Sequence, residues 1–144
     1  MLSAQGLMKS YGNQKILADV ILELEKGEII SVVGNSGSGK TTLLRLISGL
    51  EKPDSGMIIL DNKVLNGDNT FTPPEKRDCS LVFQDYALFP NMSVQQNIYF
   101  GKNSVNNKKN IEQLIQITGI ANIMEKYPHQ CSGGEQQRVA LVRS

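Results

Sequence analysis

The chain has 144 residues, with 15 Lys and Arg against 14 Asp and Glu, a formal net charge of +1. That length predicts one domain able to bury a core, and the near-neutral balance excludes a broad basic field for nucleic acid. No apolar run reaches the ~18 residues of a membrane span, residues 1–12 lack a signal-peptide pattern, and Cys79 and Cys131 lack metal or disulfide spacing, which predicts reduced thiols.

Residues 2–8 and 16–24 read as two strands joined by a turn at Tyr11-Gly12-Asn13-Gln14. In the second, Val20, Leu22 and Leu24 alternate with acidic residues, although Ile21 breaks the pattern. Lys26-Gly27 then turns the chain into residues 28–33, a β-branched run that reads as a buried parallel strand. Next comes Gly34-Asn35-Ser36-Gly37-Ser38-Gly39-Lys40-Thr41-Thr42, which fits G-x-x-x-x-G-K-[ST]. An apolar helix follows over residues 43–48 and is stopped by Gly49.

Strand, glycine loop and helix in that order predict a phosphate-binding loop. Glycines at 34, 37 and 39 permit backbone angles and close approaches that a Cβ would forbid. Successive N–H groups of Asn35, Ser36, Ser38 and their neighbours can then face an anion at the helix N-terminus. Lys40 is expected to reach the β- and γ-phosphates, Thr41 to ligate Mg²⁺ through its hydroxyl, and Thr42 to touch the α-phosphate. The stretch predicts binding of a nucleoside triphosphate.

Residues 52–56 are turn chemistry, 57–60 a short strand, 61–63 another turn, and 66–74 a polar, proline-bearing loop. Residues 80–83 read as a further strand ending at Gln84-Asp85. Ser93 is a good N-cap for a helix through Phe100. Residues 101–109 are polar and expected to be mobile; Ile111, Leu114, Ile115 and Thr118 mark one face of a helix, and residues 121–127 suggest another. Strands first and helices later predict an α/β core carrying a helical insertion.

Ser132-Gly133-Gly134-Glu135 opens a helix through Val139, Leu141 and Val142. This is either an ordinary N-capped helix or a second anion site completed from another subunit.

Taken together, these motifs resemble the nucleotide-binding subunit of ATP-binding cassette (ABC) transporters, a P-loop α/β fold with an N-terminal antiparallel β subdomain and a helical insertion. Residues 34–42 match that family's Walker A loop, and Ser132, Gly133 and Gly134 its signature motif, with Glu135 at the usual glutamine position and Cys131 at the usual leucine. The resemblance implies that Gln84 contacts Mg²⁺ and the attacking water, and that Tyr11 stacks on adenine. It divides the chain into a nucleotide-binding core (1–84), a helical subdomain (85–134) and the start of the next helix (135–144). The stretch Phe83-Gln84-Asp85-Tyr86-Ala87-Leu88-Phe89-Pro90 looks most like ferric-iron, polyamine, sulfate and molybdate importers.

The family pattern further implies ATP and Mg²⁺, a head-to-tail dimer with Walker A of one subunit facing the signature of the other, and permease subunits with a substrate-binding protein. A cytoplasmic place on the inner face of the plasma membrane and no nucleic-acid partner are expected. Tyr86 to Met92 form an apolar cluster expected to be partly exposed and to dock a permease helix. The sequence ends at Ser144, before the family's Mg²⁺-binding aspartate, catalytic glutamate and switch histidine. His129 precedes the signature and is expected to be a loop residue. Residues 1–144 are therefore expected to bind nucleotide without turning it over. A soluble ATPase working on DNA or ribosomes would carry long basic or coiled-coil insertions, which are absent here.

Overall fold

A computed structural model describes residues 1–101 and 107–144. It divides into two compact units, Met1–Ser80 and Leu81–Ser144.

The first unit is built on a five-stranded antiparallel sheet in the order β2-β1-β3-β4-β5. Its strands are β1 (Leu2–Tyr11), β2 (Gln14–Leu24), β3 (Ser55–Leu60), β4 (Lys63–Gly67) and β5 (Thr70–Phe71). The Gly12-Asn13 turn closes the β1–β2 hairpin, with Tyr11 opposite Gln14 and Leu2 opposite Leu24. Register shifts along β1 fall beside Gly6 (φ 60°), and Asp19 of β2 is also left-handed (φ 56°). Helix α1 (Lys40–Ser48) packs Leu43, Leu46 and Ile47 onto Ala4, Leu7, Leu17, Ile58 and Leu65 of the sheet. Each such side chain removed from water contributes about 1.5–3 kcal/mol, so α1 is held by burial more than by its own nine residues.

A single buried cation ties the far end of α1 to the sheet. Arg77 donates from Nη1 to the carbonyls of Leu46 (2.9 Å) and Ile47 (2.6 Å), and from Nε to Thr72 (2.7 Å). Nη2 donates to Asn66 Oδ1, and the guanidinium lies 5.6 Å from the Phe71 ring centroid. Burial lowers the Arg77 pKa. Gly49 (φ 80°) closes the helix, and a Cβ there would run into this guanidinium.

Three sequence expectations are corrected here. Residues 28–33 do not form a strand, nor do residues 80–83. A parallel strand needs hydrogen-bonding neighbours, and every ladder among the described residues is antiparallel and made by β1–β5. Ile29 and Val33 are consequently 92% and 90% exposed. The polar stretch 66–74 is not all loop: it holds the end of β4, the β4–β5 hairpin and a 3-10 turn at Pro74–Lys76. Unpaired backbone beside exposed β-branched side chains is a template for self-association. Residues 1–144 in isolation should scatter light increasingly with concentration, and Ile29→Lys with Val33→Lys should suppress it. Equal scattering from both chains would reject that assignment.

In the second unit, α2 (Val94–Ile98), α3 (Lys108–Thr118) and α4 (Gly133–Arg143) surround a core that includes Val94, Ile98, Ile111, Ile115, Ile120, Ile123 and Val139. The expected mobile stretch 101–109 falls partly on residues 102–106, outside the described residues, while Lys108 and Lys109 begin α3. Leu114 stays exposed, so the buried face of α3 is narrower than its apolar spacing suggests. The helix expected over 121–127 shortens to one 3-10 turn, Ala121–Ile123. There the chain turns to lay the carbonyls of Met124 and Lys126 against the N–H groups of Gln95 and Val94.

Candidate functional site

Gly34 to Thr42 form an irregular loop that runs straight into α1. Ser38 N–H donates to Asn35 O (3.2 Å) and closes the loop, and Gly37 takes φ 81°. Gly39 caps α1 in the left-handed region (φ 89°), and a Cβ there would lie 2.7 Å from Leu17 Cδ2. Both the backbone angle and the approach to β2 therefore demand glycine. No side chain caps α1 and no acidic residue stands in its first turn, so its first N–H groups remain available to an anion.

Lys40 curls back over the loop. Its ammonium donates to Gly34 O (2.8 Å), Asn35 O (2.7 Å) and, more weakly, Ser38 Oγ (3.4 Å). The cation is thus folded back onto the carbonyls that open the loop, while the N–H groups at the loop's other end lack a cap. Thr41 is exposed on the first turn, and its hydroxyl makes no hydrogen bond among the described residues. Thr42 is half-buried beside it. A fixed cation, free helical N–H groups and an unengaged hydroxyl together fit a polyanion accompanied by a hard divalent ion.

Tyr11 lies at the end of β1, 46% exposed, in the same unit. Its hydroxyl donates to Glu51 Oε2 (2.6 Å), and the Lys9 ammonium sits 5.5 Å from its ring centroid and 3.2 Å from Glu51 Oε1. The ring is fixed by its polar tip and covered by Lys9 on one face, which leaves the other face for stacking.

The remaining sequence candidates belong to the second unit. Gln84 is exposed in a turn closed by Tyr86 N–H on Phe83 O (3.0 Å), and its amide makes no hydrogen bond among the described residues. Ser132 caps α4 in a reciprocal pair: Glu135 N–H donates to Ser132 Oγ (3.3 Å), while Ser132 N–H donates to Glu135 Oε2 (2.6 Å). The Ser132 N–H, and then its hydroxyl, hold the Glu135 carboxyl below its ordinary pKa. The N-capped reading of this motif is therefore satisfied. Gly133 and Gly134 ask for something else: neither has a left-handed φ, and a Cβ would meet nothing closer than 3.6 Å. The chain's own packing requires no glycine at either position, although each costs helix propensity of about 1 kcal/mol relative to alanine.

The apolar stretch after Gln84 is partly exposed, Phe89 by 37%. Asn97, fully buried, accepts from Phe89 N–H (2.8 Å) and donates to the carbonyls of Phe89, Met92 and Ser93. Nothing in the sequence signalled this clamp. Cys79 and Cys131 are free thiols, both pushed up in pKa chiefly by burial. His129 lies in a 3-10 turn (Pro128–Gln130), its ring stacked on Tyr127.

A phosphate-type loop on an antiparallel sheet and a glycine-started helix in a helical unit define a nucleotide-binding cassette. The family model for the ABC transporter matches residues 17–144, and the chain belongs to that family. It is 43% identical to the Fe(3+) ions import ATP-binding protein FbpC 2 of Haemophilus influenzae, over all of this chain and 42% of that protein. It is 39% identical to the spermidine/putrescine import ATP-binding protein PotA of Bacillus thuringiensis, over all of this chain and 44% of that protein. The chain thus spans less than half the length of these curated relatives. Among solved structures, cbiO1 from Clostridium perfringens, described as part of an ABC transporter complex, superposes with a TM-score of 0.80 at 28% identity, covering 99% of this chain and 59% of that one. A dimeric bacterial ABC transporter cassette, MJ0796, gives 0.78 at 26% identity, covering 99% and 68%. The fold is part of an ABC cassette.

Proposed function

We propose that this chain is the ATP-binding part of an ABC importer's ATPase subunit, with residues 34–42 as its phosphate cradle. The observation that carries the reading is the uncapped start of α1 together with a Lys40 ammonium folded back onto the loop that leads into it. In this reading the backbone N–H groups of the loop hold the β-phosphate, Lys40 exchanges its carbonyl partners for β- and γ-oxygens, and Tyr11 stacks on adenine. Thr41 would hold Mg²⁺, whose charge would offset that of the phosphates, and the family resemblance alone gives Gln84 the same role; each side chain carries an oxygen donor of the kind this ion takes. Gln84 also orients the attacking water.

Ser132, Gly133 and Gly134 serve a second subunit's nucleotide across a head-to-tail dimer. The sterically unneeded glycines support this, since they leave open space where another molecule must approach closely. The partly exposed stretch 86–92 is the docking face for a permease subunit, supplied with cargo by a binding protein. Among the described residues no helix is long and apolar enough to cross a membrane. A cytoplasmic, membrane-peripheral location follows from such partners. Residues 1–144 by themselves bind and orient nucleotide without hydrolysing it, because none of these roles supplies a base to water. The domain division at 84 and 134 is retained as part of this proposal.

Titration with a fluorescent ATP analogue is the direct test. Saturable binding, tightened by Mg²⁺ and reversed by unlabelled ATP, is expected. Binding that unlabelled ATP cannot displace would overturn the reading.

A further inference from the structure

Helix α4 carries the Ser132-Gly133-Gly134 motif at one end and Arg143 at the other, about 16 Å apart at 1.5 Å per residue. Arg143 does not point to solvent. Its Nη1 donates to Ala87 O (2.6 Å) and its Nη2 to Tyr86 O (3.0 Å), a two-pronged grip on consecutive carbonyls. Its guanidinium also lies 5.5 Å from the Phe89 ring centroid, and burial lowers its pKa.

The two residues gripped are unusual. Tyr86 (φ 62°) and Ala87 (φ 45°) both sit in the left-handed region, and neither is glycine. Adjacent L-residues there are strained, and such strain persists only where surrounding contacts over-determine it. Arg143 is the side chain that engages both carbonyls. Immediately upstream, Tyr86 N–H closes the turn on Phe83 O, with Gln84 at the turn's first inner position. Downstream, Asn97 fixes Phe89 through both its N–H and its C=O. The segment is thus fixed on its exit side by Asn97 and at its strained centre by Arg143.

We propose that Arg143 is a positioning residue for Gln84, linking the glycine-motif helix to the turn that presents the glutamine amide. The proposal deepens the nucleotide reading and rests on it for the role of Gln84. A shift of α4 would pull on the 86–87 carbonyls through two charge-assisted hydrogen bonds, and Gln84 would follow. Arginine suits this better than lysine, because its planar fork meets two acceptors at once.

The test is a double-mutant cycle on the affinity of a fluorescent ATP analogue, measured with and without Mg²⁺. Gln84→Ala and Arg143→Met should each lower the Mg²⁺-dependent gain in affinity by about three- to tenfold, and the double variant should lower it no further. Affinity without Mg²⁺ should stay within about twofold of wild type, and Arg143→Lys should recover part of the gain. Hydrogen exchange should quicken at residues 84–88 in Arg143→Met while the amides of Val139 and Val142 stay protected. Additive losses, or a full Mg²⁺ response in Arg143→Met despite a loosened turn, would overturn the proposal. Unfolding of Arg143→Met with a full Mg²⁺ response in a folded Arg143→Lys chain would also count against it, since the grip would then be structural. Unchanged affinity in Lys40→Ala is a separate result: it removes the nucleotide reading itself.

Discussion

Lys40→Ala should weaken nucleotide binding by about tenfold to a hundredfold. A hydrogen bond to a charged group contributes about 1.5–3 kcal/mol, and 1.4 kcal/mol is a factor of ten in affinity. Two features set the bounds. The uncapped N–H groups of α1 survive the substitution, so residual binding should persist. The wild-type ammonium already has carbonyl partners at 2.8 and 2.7 Å, so binding exchanges bonds and the gain stays below that of a bare cation. Isothermal titration of both chains decides it. Equal affinities would show that this loop is not the phosphate site.

Arg77→Met should cost the first unit about 3–5 kcal/mol, the range for breaking a buried charged network from one side. Methionine preserves length and apolar volume, and it spares the desolvation of a guanidinium. Against that, Ile47 O, Thr72 O and Asn66 Oδ1 lose their donor at once, and Leu46 O keeps only Gly49 N–H. Asn66 is already short of a partner on Nδ2 and is 1% exposed, so its whole amide would be orphaned. Orphaned buried polar groups outweigh the saving. Because net stabilities are about 5–15 kcal/mol, the melting transition should fall by many degrees or vanish. Arg77→Lys should lie between, since one ammonium cannot span four acceptors. A melting temperature within a degree of wild type for Arg77→Met would refute this account.

The sequence disclosed whatever depends on near neighbours. The β1–β2 hairpin followed from alternation around Gly12-Asn13, and α1 from its glycine loop and its stop at Gly49. Ser93 and Ser132 announced helix starts because a serine cap needs only the residue three positions on, here Gln96 and Glu135. Pairing was less legible. Residues 28–33 have strand composition, but composition does not supply a neighbour, and β4–β5 escaped notice because Asn66 and Gly67 look like loop residues.

The two anchoring arginines were invisible for a related reason. Lysine and arginine are ordinarily solvated, so nothing marked Arg77 as buried or Arg143 as half-buried. Their partners are backbone carbonyls, which every residue possesses and no side-chain pattern reveals. Asn97 is the same case within α2. The glycines at 133 and 134 show the opposite situation: the sequence singled them out, and the chain's own packing gives no reason for them.

Arg77 has one more property. Its four acceptors are three backbone carbonyls and an amide, none of which gains or loses a proton in the acid range. The α4 cap differs, because the folded-state pKa of Glu135 is depressed below its ordinary value of 4.5. Its contribution is complete above that value and disappears as pH falls through the folded one. Acidification therefore unclips the start of α4 while the anchor of α1 holds.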